Sequence, residues 1–280
     1  MGDQILIQNF LSWLQAEGKA NSTIDEYLRR VLKFKRYLAS HSPKDLTQVT
    51  TSDIFVFQQS LLQRKQNSST INGNISTLRV IYQWMVREGL ISSNPVLANI
   101  HIRQNHNKIE PLVFVDLKLL VSFIETLKPN IKAAFCLMMG AGVRVGEVAK
   151  LRYSDITLRK GRVFISIKNA KWGSDREIPI IFAKAAEVVW AYRNSCSVSN
   201  EPLFRVSKRT LQWYATKFSK QTGVKFYCHL LRHMFAAKLL EHNVPIATIQ
   251  YLLGHKNINM TMYYTRSAHI DLYSIAPVIY

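Results

Sequence analysis

Apolar residues recur at helical spacing along most of the chain, whereas runs rich in Val, Ile and Phe are confined to two short stretches in its second half. Residues 4–16 place Leu6, Phe10 and Leu14 on one face and predict a first helix. Asn21-Ser22-Thr23 then reads as the start of a second, with Asp25 and Glu26 placed for a capping box. That helix runs to about residue 39, buries Ile24, Leu28, Val31 and Leu38, and turns Arg29, Arg30, Lys33, Lys35 and Arg36 outward. Its basic face reads equally as a solvated surface or as a DNA contact. A third helix is expected over about 52–63 and a fourth from Ser68 to the stop at Gly89, with Asn94-Pro95 closing the unit.

The segment HIRQNHNKIE, residues 101–110, is polar and aperiodic and precedes Pro111. It predicts a helical domain over 1–100, a linker over 101–111 and a second domain over 112–280. The second part is helical again from Val115 through 130–139, is interrupted by Gly140-Ala141-Gly142, and resumes from Val145 to Lys150. Arg162–Ile167 and Arg176–Ile181 are the β-rich runs and predict one hairpin joined by a polar loop. Helices follow at 183–193 and 207–220, then a long pair over 229–253. The fold class expected is mainly α, in two domains, with a small β-sheet in the second.

Composition narrows the partner. The 280 residues carry 37 Lys+Arg against 18 Asp+Glu, a net charge of +19, and the excess is +4 before residue 100 and +15 after it. A charge of that size points to a polyanion, with nucleic acid ahead of a membrane surface. No apolar run reaches the roughly 18 residues of a spanning helix, and Met1-Gly2-Asp3-Gln4 begins neither a signal peptide nor a myristoylation motif. Cys136, Cys196 and Cys228 are odd in number and widely spaced, so they read as reduced core residues, and the expected compartment is the cytoplasm.

His229, Arg232 and His233 stand at i, i+3 and i+4 and share a helix face. A zinc-protease pattern would need Glu after the first histidine, where Leu230 stands, so no metal is expected; hydrogen-bonded core histidines are the other reading. Gly254 stops the last helix and leaves His255 at an exposed turn, nine residues before Tyr264. Upstream, GAGVRVGEV sets Arg144 beside a Gly-interrupted helix junction that could aim a guanidinium into a cleft.

These boxes, GAGVRVGEVAKL at 140–151, HLLRHMFAAKLL at 229–240, LGH at 253–255 and Tyr264 within YYTR, in that order and with the hairpin between the first two, resemble those of the tyrosine recombinases, the phage-integrase family. The resemblance rests on motifs over about 110–270 and on architecture alone before that. It implies a two-domain DNA clamp: a helical, SAM-like core-binding domain followed by a mostly helical catalytic domain. It also implies transesterification of DNA, with Tyr264 as nucleophile, Arg144 and Arg232 as forks on the non-bridging phosphate oxygens, and His229 and His255 hydrogen-bonding the phosphate or assisting the phenol. Glu147 resembles the family's acidic support residue, with an exposed helix Glu as the plainer reading, and His233 and Lys168 are further supporting candidates. In the family a hairpin-loop lysine protonates the leaving 5′ oxygen; counting back from Arg176-x-x-Pro179 selects Lys171, counting forward from Arg144 selects Lys168, and Lys171 is preferred. Tyr263 would be the packing neighbour of Tyr264.

The resemblance further implies no cofactor, no metal and no ATP. The implied partners are a double-stranded recombination site, four protomers on two sites exchanging strands through a Holliday junction, and an accessory DNA-bending protein or partner recombinase. The short form, without a further N-terminal arm-binding domain, tilts the role towards resolving plasmid, chromosome or transposon dimers and cointegrates in the nucleoid, with integration or excision of a mobile element behind it. The tail after Tyr264 is apolar enough to dock on a neighbouring protomer or to pack in cis. A type IB topoisomerase and a non-catalytic DNA-binding regulator are the rival classes. Leu230, where an acidic residue is commoner, and the long hairpin loop depart from the family pattern.

Overall fold

The computed structural model describes residues 2–103, 114–168 and 174–255, with the side chains of residues 114 and 115 excepted. The chain divides into two compact units, Met1–His106 and Asn107–Tyr280.

The first unit is helical: α1 Asp3–Ala16, α2 Asn21–His41, α3 Thr51–Gln63 and α4 Ser68–Arg87, with a single 3₁₀ turn at Leu46–Gln48. Leu6, Phe10 and Leu14 are fully buried, as their spacing requires, and they meet Val31, Phe34, Phe57, Ile75 and Tyr82 in one core. Each such side chain withdraws about 1.5–3 kcal/mol worth of apolar surface from water. The caps differ in part from expectation. Thr50 caps α3 through a capping box with Asp53, and Asn67 caps α4 by accepting from the Thr70 amide. Asn21 instead lies inside α2, whose N-cap Ala20 offers no side-chain acceptor.

The second unit contains α5 Phe114–Glu125, α6 Pro129–Ala141, the single turn α7 Val145–Val148, strands β1 Ile156–Arg159, β2 Arg162–Ile167 and β3 Arg176–Pro179, then α8 Ala183–Asn194, α9 Lys208–Thr222, α10 Cys228–Glu241 and α11 Ile246–Leu253. The sheet is antiparallel in the order β1-β2-β3, with Ile165 opposite both Ile156 and Ile178. The expected hairpin is β2-β3, and β1 is an addition to it. Lys160 and Gly161, both at positive φ (47° and 74°), form the two-residue turn that joins β1 to β2 and matches the right-handed twist of the strands. Phe135, Phe218, Phe226 and Phe235 occupy the core of this unit together with the inward isoleucines of the sheet. Cys136 and Cys228 are buried and Cys196 is half-buried, all as free thiols. Burial pushes the Cys136 and Cys228 thiols up to about 11, so neither is a thiolate at neutral pH.

Candidate active site

Two glycines shape the ground on which the charged residues stand. Gly142 ends α6 in the left-handed conformation (φ +61°), and a Cβ there would collide with the Phe235 ring of α10. The chain can therefore reverse at once and present Arg144 as the N-cap of α7. Gly254 does the same for α11 (φ +62°), and a Cβ on it would lie 2.8 Å from Nη1 of Arg176. No other residue type fits either position without moving a neighbour.

The candidate side chains converge on these two turns. Arg232, on α10, is 1% exposed, donates from Nη1 to the Gly142 carbonyl at 2.9 Å, and reaches the Leu253 carbonyl with Nη2. Arg144 donates from Nη2 to the Gly254 carbonyl at 3.0 Å and from Nη1 to Oε1 of Glu147 at 2.9 Å. The backbone amide of Arg144 takes the other carboxylate oxygen at 2.8 Å. Glu147 is thus held against Arg144 by both oxygens rather than standing as an exposed helix residue, and its side chain is only 11% exposed.

The histidines complete the cluster. His229 and His233, one helical turn apart on α10, meet edge to face with ring centroids 4.7 Å apart. His255 is 7% exposed, which corrects the expectation of an exposed turn: its backbone amide bonds the Gln250 carbonyl while the Gln250 side chain returns to the His255 carbonyl, folding the turn back onto α11. Burial, and then the charges of Arg232 and Arg144, pull the His255 imidazole down to about 3. Burial and His229 pull His233 down to about 4, and burial followed by Arg232 and Arg144 lowers His229. All three are neutral at pH 7 in the DNA-free protein. Burial would raise the Glu147 carboxyl, but the hydrogen bond and charge of Arg176, then those of Arg144, outweigh it and keep Glu147 ionised.

Arg176 is the member of this cluster that sequence reasoning missed. It served only as a landmark for the hairpin loop, yet its side chain is 1% exposed and it grips both Glu147 oxygens, at 3.0 and 3.2 Å. The available signal was alternation: with Ile178 facing inward, Arg176 two residues earlier on β3 must face inward as well.

The remaining candidates are placed as follows. Lys168, at the end of β2, lies with Nζ 3.3 Å from Oδ1 of Asp155 and is 64% exposed. Lys171, Tyr263 and Tyr264 lie outside the described residues. On α2, Arg29 pairs with Glu26, and Arg30 pairs with Glu26 while donating to the Gly73 carbonyl and the Thr77 hydroxyl of α4. Lys33 reaches Gln66, Lys35 lies 3.5 Å from Asp3, and Arg36 turns back to its own helix carbonyl at Leu32. Arg29 and Arg36 are exposed. Among the described residues, no helix is long and apolar enough to cross a membrane.

Comparison with known proteins gives the same organisation. Residues 112–269 match the phage integrase family and residues 7–89 its N-terminal SAM-like domain. Tyrosine recombinase XerA of Pyrococcus horikoshii is 30% identical over 270 residues, 93% of this chain and 88% of that protein. Tyrosine recombinase XerC of Oceanobacillus iheyensis is 27% identical, with 94% and 91% covered. The fold resembles that of a lambda integrase tetramer bound to a Holliday junction (TM-score 0.72, 22% identity, 91% and 77% covered) and of the Tn1549 transposon integrase in complex with circular intermediate DNA (TM-score 0.71, 18% identity, 98% and 99% covered). The two matches, over residues 7–89 and 112–269, and a 30% identical relative covered along nearly its whole length place this chain in the phage integrase family of tyrosine recombinases, the enzymes of site-specific DNA recombination.

Proposed function

We propose that the chain cuts and rejoins duplex DNA through a 3′-phosphotyrosyl intermediate formed by Tyr264, and that it resolves dimers or cointegrates of a plasmid, chromosome or transposon. One observation carries the chemical part. Arg144 and Arg232, far apart in sequence, both bond the carbonyls of the Leu253-Gly254 turn, from which His255 leads nine residues on to Tyr264. Two guanidinium forks beside neutral imidazoles suit a phosphodiester that gains charge on its non-bridging oxygens.

In the step itself the Tyr264 phenolate oxygen bonds phosphorus and the bond from phosphorus to the 5′ oxygen breaks. The phenol proton passes to a histidine, with His229 the first choice, and the departing 5′ oxygen takes a proton from Lys171. The bound phosphate raises the affinity of His229 for that proton, since its negative charge opposes the desolvation and arginine charges that keep the ring neutral. One phosphate ester replaces another, so religation to a second strand needs no ATP. Four protomers on two sites would exchange one strand pair at a time, an assembly of the kind seen for the lambda integrase tetramer bound to a Holliday junction. An accessory DNA-bending protein or a partner recombinase would set direction, and the site of action would be the nucleoid in the cytoplasm.

The test is a covalent trap. The protein is incubated with nicked fragments of the DNA flanking its own gene, denatured, and assayed for attachment to a 3′ end, alongside Tyr264→Phe and Tyr263→Phe. An adduct lost only in Tyr264→Phe is the expected result. Specific binding to a fragment without any adduct would favour a DNA-binding regulator, and relaxation of any supercoiled plasmid without a site requirement would favour a type IB topoisomerase.

A further inference from the structure

Glu147 accepts from two arginines, and a support role for Arg144 needs only one. Arg176 meets the carboxylate with both terminal nitrogens, at 3.0 and 3.2 Å, donates from Nε to the Leu252 carbonyl at 2.8 Å and from Nη1 to the Ser174 carbonyl at 3.1 Å. A buried arginine held by four acceptors, against a turn that must be glycine to admit it, is not a solvent charge that strayed inward. Its effect on the site follows from counting charge. Arg144 and Glu147 together are neutral; with Arg176 the trio carries one positive charge beside Arg232.

We propose that Arg176 is a positioning residue for cleavage: it neutralises Glu147 so that Arg144 keeps its charge for the phosphate, and it ties the strand after the hairpin loop to the turn that carries His255. The inference rests on the recombinase reading above. Without Arg176, the Glu147 carboxylate would spend itself entirely on Arg144, and an anionic phosphate approaching that pair would meet no net attraction from it. Removing one partner of a buried pair is costly where removing both is not, and the experiment exploits that asymmetry.

The rate of adduct formation on the nicked duplex is measured for the parent, Arg176→Gln, Arg176→Lys, Glu147→Gln and the double variant Glu147→Gln/Arg176→Gln, with thermal unfolding and affinity for the same duplex as controls. Arg176→Gln should slow adduct formation about 100-fold, while affinity, set by many phosphate contacts, changes less than about threefold. The double variant should recover about tenfold of that loss, because the uncompensated carboxylate is gone. Arg176→Lys, which keeps the charge, should stay within about tenfold of the parent. If Arg176→Gln does not fold, the lysine and double variants decide: both cleave when charge balance is the role, and failure of both overturns it. A parent that forms the adduct while Arg176→Gln keeps its rate, or a double variant no faster than Arg176→Gln, overturns the inference alone. A parent that forms no adduct on any flanking fragment overturns the recombinase reading and this inference together.

Discussion

Nη2 of Arg144 donates to the carbonyl of Gly254 at 3.0 Å across 110 residues of sequence. This bond makes the C-cap of α11 part of the candidate site rather than a mere helix stop. Arg232 bonds the preceding carbonyl and Arg176 the one before that, so three successive carbonyls, Leu252, Leu253 and Gly254, each take one guanidinium. These are the orphan acceptors of a helix terminus, whose partial negative charge favours cations.

Gly254→Ala is therefore expected to damage chemistry as well as stability. The left-handed backbone alone costs about 1 kcal/mol for alanine, and the added Cβ must displace the Arg176 guanidinium it would approach to 2.8 Å. We expect a lower melting temperature and at least about tenfold slower adduct formation, in line with the loss of an oriented hydrogen bond at a reacting phosphate. Gly223→Ala is the control: Gly223 also has positive φ (+73°), yet a Cβ there would meet nothing within 4 Å, so stability should fall while the per-molecule rate holds.

Stability should fall as pH drops from about 7, and the histidines supply the sign. His255 and His233 have folded values pulled down to about 3 and about 4, below the ordinary 6.5, so the unfolded chain takes up protons first. Their contribution is full above pH 6.5 and declines as pH falls towards those folded values, by at most about 1.4 kcal/mol per pH unit for each ring. Urea denaturation at pH 7.5, 6.0 and 5.0 checks this, and His255→Asn, which cannot charge, should flatten the slope. Bound phosphate ester should move the His255 and His229 ring signals towards the protonated form in an NMR titration; unchanged values would show that these rings do not face the phosphate.

Glu147 adds a second, more acidic limb. Its folded value is depressed, so its contribution is present above the ordinary carboxylate range and is lost as pH falls through the lower folded value. In Glu147→Gln that limb should disappear below about pH 4.5. The loss of cleavage should be the larger effect, because Arg144 loses the charged partner and one of the two accepting oxygens that hold it.

The parts of this fold that could be read from sequence are those fixed by local periodicity. Leu6, Phe10 and Leu14 announce α1 because a helix buries every third or fourth residue regardless of what it packs against. β1 escaped because four residues, Ile156–Arg159, are too few to show alternation and because its turn is Lys160-Gly161 rather than Asn-Gly. His255 was expected to be exposed because sequence marks where a helix stops, whereas burial there depends on arginines delivered by α7, α10 and β3. Arg176 was passed over for the same reason: a buried charge becomes legible only once its partner Glu147, 29 residues away, is placed beside it. The motif residues Arg144, His229, Arg232 and His255 could be named because the family spacing encodes that same three-dimensional meeting.

Among the described residues, the basic face of α2 divides into charges bonded to another helix and charges bonded within α2, and salt dependence should separate them. Arg36 bonds the carbonyl of Leu32 on its own helix, while Arg30 is held by Gly73 and Thr77 of α4. A phosphate contact by Arg36 would contribute about 0.9 to the slope of log affinity against log salt, so Arg36→Ala should lower the magnitude of that slope by about one while stability is unchanged. Arg30→Ala should instead lower the melting temperature, since two hydrogen bonds between helices are lost. An unchanged slope in Arg36→Ala would assign the face to solvent rather than to DNA.

The general acid can be assigned by changing the leaving group. Lys168, exposed at the end of β2, sits 3.3 Å from Asp155, an ion pair worth at most about 1 kcal/mol, whereas Lys171 stands between β2 and β3 in sequence and is the proton donor of the proposed step. Lys171→Ala should slow cleavage of an ordinary phosphodiester by about 10²–10⁴-fold. A bridging 5′ sulfur in place of oxygen leaves readily as a thiolate and needs no proton, so the same variant should cleave that substrate at close to the parent rate. Lys168→Ala should cleave both substrates within a few-fold of the parent. Rescue by sulfur in Lys168→Ala, with Lys171→Ala unaffected on either substrate, would exchange the two assignments and place the proton donor at the end of β2.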